Sequence, residues 1–170
     1  MSFGTRTKPI TRNVRLARRV RLREFTYKPR TTAAGLKQET DRVAPLIVKT
    51  RDGWRCVMCG RSDVRIESGH LFPRGHWPSR WLLENNFAQC TFCNNAHNDD
   101  RNPYTYWFLG RFGSDAHARL RDIAYSKHKW TFAELEFLGE QYRMIYQPLL
   151  KGWDFTEACQ QANYKLFIEF

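Results

Sequence analysis

Two Cys-x-x-Cys pairs, Cys56-Val-Met-Cys59 and Cys90-Thr-Phe-Cys93, stand 30 residues apart. Such a pair turns two thiolates toward one ion, and two pairs complete a tetrahedral set of four sulfurs. Thiolates select zinc over magnesium or calcium, and four protein ligands leave no open position for a substrate. The spacing therefore predicts a structural Zn2+ on Cys56, Cys59, Cys90 and Cys93. An iron–sulfur cluster is the other centre that four such thiolates accommodate. Disulfides are disfavoured, because the chain reads as intracellular. Cys159 stands alone and reads as a buried thiol.

Polar residues surround the cysteine pairs. Glu67-Ser-Gly-His70-Leu-Phe-Pro-Arg74-Gly-His76-Trp-Pro is followed by Glu84-Asn85-Asn86-Phe-Ala-Gln89, and Asn94-Asn-Ala-His97-Asn98-Asp-Asp comes after Cys93. This interleaving of His, Asn and Asn with the two pairs resembles the HNH, or ββα-metal, nuclease motif. His70 lies 15 residues before Asn85 and 20 before Cys90. Cys93-Asn94 resembles the phage endonuclease VII subgroup. A closer resemblance covers about residues 50–147. Ser-Gly-His70-x-x-x-Arg74-Gly, Glu84-Asn85-Asn86-x-x-Gln89-Cys90-x-x-Cys93-Asn94, Tyr104, Leu109 and Phe112-Gly113 are similar to the lambda NinG (Rap) recombination nuclease family.

The resemblance implies an α+β fold: a zinc-stapled ββα-metal (HNH) core, with a C-terminal helical layer and a basic N-terminal arm around it. In that motif the first His ends a strand, the middle Asn pins a loop, and the residue after the last Cys opens a helix. It implies a metal-dependent DNA endonuclease acting on branched DNA, namely Holliday junctions and D-loops. His70 would be the general base, neutral near pH 7. Asn85 would hold the loop and orient His70, and Asn94 would ligate a catalytic Mg2+ or Mn2+. Arg74 and Arg80 are candidates to clamp phosphates. Generic HNH nucleases often carry Asp as a metal ligand immediately before the base His. Here that residue is Gly69, as in the NinG-like pattern, so Asn94 is the one named ligand. Glu67, His97, Asn98 and Asp99 are the candidates to complete the shell. Two other readings compete: a sequence-directed HNH nicking or homing enzyme, and a non-catalytic zinc-stabilised nucleic-acid binder.

Charge distribution fits a polyanionic partner. The 170 residues carry 28 Lys and Arg against 17 Asp and Glu, a net charge of +11. Residues 1–55 hold 15 basic and 4 acidic residues, so the whole excess lies in the first third. Its densest stretch is Arg12, Arg15, Arg18, Arg19, Arg21 and Arg23, and arginine forks suit phosphate oxygens. DNA is the expected partner, a homodimer through the C-terminal helices is the expectation by family analogy, and any host or phage recombination partner is unknown from sequence. No run of 18 apolar residues indicates a membrane span, and the opening MSFGTRTKPITR lacks a secretory apolar stretch. The expected location is the cytoplasm, of a bacterial host if the chain is phage-encoded. A composition 42% hydrophobic and 15% aromatic excludes a disordered chain.

The elements that must position these residues divide the chain into 1–45, basic arm and linker; 46–113, the zinc-bound core; and 114–170, a helical region. Residues 1–13 read as a tail and 14–26 as strand or helix. Pro29, Thr31, Thr32 and Gly35 make 28–44 read as a linker. Residues 53–98 suit short strands and loops. Asn102 and Pro103 signal a helix to Phe112 with Gly113 as its stop, and Ser114 opens another to about Ser126. Thr131 and Glu134 form a capping box before a helix to about Leu150, which Pro148 is placed to kink or end early. Asp154 or Thr156 opens a last helix running to near Phe170. His76 reads as a loop residue, His117 and His128 as surface, and Trp77 and Trp81 as core.

Overall fold

A computed structural model of the chain describes residues 32–168 and 170. The tail, the segment 14–26, and the arm bearing Arg12, Arg15, Arg18, Arg19, Arg21 and Arg23 lie outside the described residues.

The first described helix, α1, is Ala33–Arg51. It occupies sequence that reads as linker, and the reading of 28–44 is corrected from Ala33 onward. Thr32 caps the helix, its hydroxyl accepting from the Gly35 N–H at 3.1 Å. Leu36, Thr40, Val43, Ala44, Ile47 and Val48 recur at helical spacing and are buried. A charged opposite face, with Gly35 and Pro45 inside the element, masks that stripe.

The stripe packs against α4, Phe132–Leu150. Thr131 and Glu134 form the expected capping box there, with Pro148 accommodated in the last turn. Leu135, Leu138, Tyr142, Ile145, Tyr146 and Leu149 line its inner face. A shorter helix, α5, Phe155–Gln161, is capped by Asp154 and adds Phe155, Ala158 and Cys159 to the same core. It stops well before Phe170. Asn163 takes a left-handed φ of 52° and turns the chain away.

The other half is built on two five-residue antiparallel strands, β1, Ile66–His70, and β2, Asn86–Cys90. Their register pairs Ile66 with Cys90, Glu67 with Gln89, Gly69 with Phe87 and His70 with Asn86. The connection between them carries two short 3-10 turns, Trp77–Ser79 and Leu83–Asn85. Helix α2, Thr91–Asp99, follows β2 directly. Next comes α3, Asn102–Ala124, interrupted at Gly113 with φ 85° and ψ 171°. The break falls at the glycine that the sequence marks as a stop, so two helical stretches meet there. Tyr104, Trp107, Phe108 and Phe112 of the first stretch surround Phe87 of β2.

One buried ion pair ties the halves together. Arg51, the last residue of α1, donates to Asp52 and to the carbonyls of Leu83 and Asn86. Asp52 in turn accepts from the Ala88 N–H of β2 at 2.7 Å. No helix among the described residues is long and apolar enough to cross a membrane.

Candidate metal centre and active site

Four sulfurs meet at one end of the strand pair. Cys56 and Cys59 flank a tight turn closed by Gly60 N–H on the Cys56 carbonyl and by Cys56 N–H on the Arg61 carbonyl. Gly60 takes φ 75°, which a side chain would disfavour. Cys90 ends β2 and serves as the N-cap of α2, its sulfur accepting from the Cys93 N–H at 3.4 Å. The Sγ atoms of Cys56, Cys59, Cys90 and Cys93 all lie within 4.8 Å of one another. Cys59 and Cys90 sulfurs are 3.8 Å apart. A tetrahedron with Zn–S bonds of about 2.3 Å has edges of about 3.8 Å, so the set fits a zinc ion. Burial and the three neighbouring cysteines push the Cys93 thiol up. A bound cation reverses that crowding by favouring thiolates.

Around this staple the strand alternation sorts the polar residues onto two faces. Glu67, Gly69 and their partners Gln89 and Phe87 share one face. Asn94 of α2 sits over it, donating its Nδ2 to Glu67 Oε2 at 2.9 Å. Cys90 opens the helix, so Asn94 is its fourth residue, one turn later than the motif places it. Gln89 is fully buried, and neither its Oε1 nor its Nε2 has a hydrogen-bond partner. An unpaired buried amide costs about 1–3 kcal/mol.

His70 ends β1, and its ring lies on the opposite face, toward the connection. Its Nε2 is 3.1 Å from the Arg80 carbonyl oxygen. A carbonyl only accepts, so the neutral ring keeps its proton on Nε2 and Nδ1 carries the free lone pair. Burial pushes the His70 pKa down to about 4, with the charges of Arg74 and Arg80 acting in the same direction. The ring is therefore neutral at pH 7.

Asn85 holds the connection on both sides of that contact. Its Nδ2 donates to the carbonyls of Phe72 and Ser79, both at 3.0 Å, and its Oδ1 accepts from the Phe72 N–H at 2.8 Å. Its own carbonyl accepts from the Leu71 N–H. The residues just after His70 and just before Arg80 are thus fixed by one buried side chain. Neighbouring Glu84 is buried too, where it accepts from Tyr164 Oη and the Phe167 N–H, and burial pushes its carboxyl up.

Arg80 donates to both oxygens of Asp41 at 3.0 and 2.7 Å, and Trp81 Nε1 donates to the same carboxylate. Burial raises the Asp41 pKa, but these donors outweigh it and the net shift is downward. Arg74 reaches Asp41 at 3.1 Å while remaining largely exposed. The structure thus places Arg80 within the scaffold and Arg74 at the surface beside it.

Of the remaining candidates, Glu67 is beside Asn94, while Asn98 and Asp99 are exposed on α2. His97 donates from Nε2 to the His70 carbonyl at 3.1 Å, and burial pushes its pKa down. Trp81 is core, as read from sequence, whereas Trp77 is 44% exposed. Trp77 borders a cleft of about 790 Å3 whose rim carries Lys37, Lys127 and Lys129. Asp41, Arg51 and Asp52 carry no spacing motif, because the groups they hold across the fold, on Arg80, Leu83 and Ala88, are more than 30 residues away.

A family model described as "Bacteriophage Lambda NinG protein" matches residues 5–151. No curated protein and no solved structure matches the chain.

Proposed function

We propose, from the premise that the chain belongs to the lambda NinG family, that it is a metal-dependent endonuclease of HNH type that hydrolyses phosphodiester bonds in branched DNA. His70 carries the reading. It sits at the end of a strand, is held through Nε2, is neutral at physiological pH and keeps a lone pair on Nδ1. That is the state a general base needs before it takes a proton from water. Asn85 keeps the ring in place by fixing the connection around Arg80. Asn94 and Glu67 supply the oxygen donors that a Mg2+ or Mn2+ ion prefers. Such an ion supplies charge stabilisation for the phosphorane-like transition state and the leaving oxygen. The cysteine set, with zinc, staples β2 to α2 and so holds Asn94 against β1.

Arg74, exposed beside Asp41, and the lysine-lined cleft beside Trp77 offer cations and an aromatic face to a DNA strand. The basic arm adds the long-range attraction, and affinity should fall steeply with salt. A second copy of the chain would let both strands of a junction be cut. Phe137 and Met144 are exposed seven residues apart on α4 and offer it apolar contacts.

The test is cleavage of linear duplex, single-stranded, D-loop and four-way-junction DNA by zinc-loaded protein, with and without Mg2+ or Mn2+. Wild type should cut branched DNA, and His70→Ala should lose about 10²–10⁴-fold in rate while binding the same DNA. Cleavage by His70→Ala at the wild-type rate refutes the assignment. Tight binding without cleavage under any divalent ion would make the protein a zinc-stabilised DNA-binding module.

A further inference from the structure

We propose that Gln89 is an oxygen ligand of the divalent ion, completing with Asn94 and Glu67 a site whose space is left open by Gly69. This inference deepens the nuclease reading and rests on it for the ion's role, not for its place. Gln89 lies opposite Glu67 in the strand register, fully buried, with both ends of its amide unpartnered. A Cβ added to Gly69 would stand 2.0 Å from Gln89 Oε1 and 3.0 Å from Asn94 Oδ1. The two amide oxygens therefore converge on one point above the Gly69 backbone. Asn94 is held in that orientation because its other end donates to Glu67.

Converging oxygens repel one another, and with the Gln89 amide buried and unpartnered this is a poor arrangement without a cation between them. A hard divalent ion turns the repulsion into coordination, and amide and carboxylate oxygens are the donors it takes. The backbone shape at position 69 has the same logic. Any side chain there would push into the Gln89 amide, so a ligand projecting from β1 at 69 and a ligand projecting from β2 at 89 exclude each other. The chain has glycine at one and a long amide at the other. Two neutral amides and one carboxylate fill about half of an octahedral shell and bring little charge, which leaves the remaining positions to water and a DNA phosphate.

A different geometry makes a contrary prediction. With its amide rotated by half a turn, Gln89 would donate Nε2–H to Asn94 Oδ1 and act as a clamp with no ion. Exchange of glutamine for glutamate separates the two, since a carboxylate ligates but has no N–H to donate.

The experiment is titration of zinc-loaded full-length protein with Mn2+, read by electron paramagnetic resonance, which sees Mn2+ and not zinc. Gln89→Met should weaken Mn2+ binding at least tenfold, and Gln89→Glu should retain or tighten it. The paired variant Gly69→Asp with Gln89→Ala should bind Mn2+ where Gln89→Ala alone does not, because the carboxylate enters the vacated space. Zinc content and thermal melts establish that each variant is folded, and Gln89→Glu keeps the test open if Gln89→Met is not. Wild-type Mn2+ affinity in Gln89→Met, or its loss in a folded Gln89→Glu, overturns the proposal. Neither result depends on cleavage. His70-dependent cleavage with Mn2+ binding indifferent to Gln89 would sink this inference alone, and Gln89-dependent Mn2+ binding without cleavage of any DNA would sink the nuclease reading alone.

Discussion

The helical body and the strand–cysteine half are held together by different forces. Between α1, α4 and α5 the interior is aliphatic and aromatic, with Leu36, Ile47, Val48, Leu135, Tyr142 and Ile145 almost fully buried. Burial of such side chains stabilises by roughly 1.5–3 kcal/mol each, and no ligand is needed. Around the cysteines the apolar cluster is Ile66 and Ala88 with two of the sulfurs, and Phe87 of β2 packs away from them into an aromatic cluster with Tyr104 and Phe108. Between these two clusters and the helical core lie buried polar side chains: Ser79, Glu84, Asn85, Asn86, Gln89 and His97. A region that buries polar groups depends on every hydrogen bond being made and on its metal being present. The polar groups that weaken this half include those to which the proposed chemistry is assigned.

Removal of zinc gives the largest expected effect and the sharpest break. Structural zinc contributes an apparent 10–16 kcal/mol or so in small zinc peptides at neutral pH. Chelation should expose the amides of Val57, Ala88 and Thr91 to hydrogen exchange and abolish cleavage. The amides of Val48 and Ile145 should stay protected. Protection of Ala88 in metal-free protein would show that hydrogen bonds suffice in both halves, and the contrast would fail.

The reverse cut comes next. Ile145 is fully buried in the helical core. Ile145→Ala should cost about 2–5 kcal/mol in denaturant unfolding. Zinc stoichiometry and the cleavage rate of the folded fraction should be unchanged. A matched loss of metal would mean that the halves fold as one unit through Arg51 and Asp52.

Acid should separate the halves as well. The folded pKa of His70 is depressed to about 4 from an ordinary 6.5, chiefly by burial. Its stabilising contribution is therefore complete above pH 6.5 and is lost as pH falls toward 4, because the unfolded ring takes up a proton first. The gap of about 2.5 pKa units corresponds to roughly 3 kcal/mol. Between pH 7 and 4, wild type should lose about that much more stability than His70→Asn, measured by urea unfolding at each pH. Parallel losses would place the ring in solvent rather than against Arg80.

Sequence and structure agree best where the determining contacts are local. Two cysteine pairs, the Thr131–Glu134 box, the Asp154 cap and the Gly113 break each act within a few residues, and each is legible by spacing. Helix α1 is hidden because Gly35, Pro45 and a charged face outweigh its apolar stripe when read without α4. The network around His70 is less legible still. Arg80 is read as a phosphate clamp, but its fork is taken by Asp41, 39 residues earlier. The role proposed for Gln89 arises from its place opposite Glu67 and against Gly69, which only strand register creates.

The smallest expected effect tests the comparison at its weakest point. Thr131 accepts the Glu134 N–H at 3.3 Å, and Glu134 returns a bond to the Thr131 N–H at 2.7 Å. The motif is exposed, so water replaces part of what is lost when it is removed. Thr131→Ala should lower global stability by about 1 kcal/mol, read as a shift of the urea midpoint without change of slope. Cleavage by the folded fraction should be that of wild type. In Asn85→Ala the proportion should be inverted, because that side chain bridges Phe72 to Ser79 beside His70. Its cleavage rate should fall by a larger factor than its folding equilibrium does. If Thr131→Ala slows cleavage out of proportion to its stability loss, the helical body transmits strain to the site, and the two halves cannot be treated as separately stabilised.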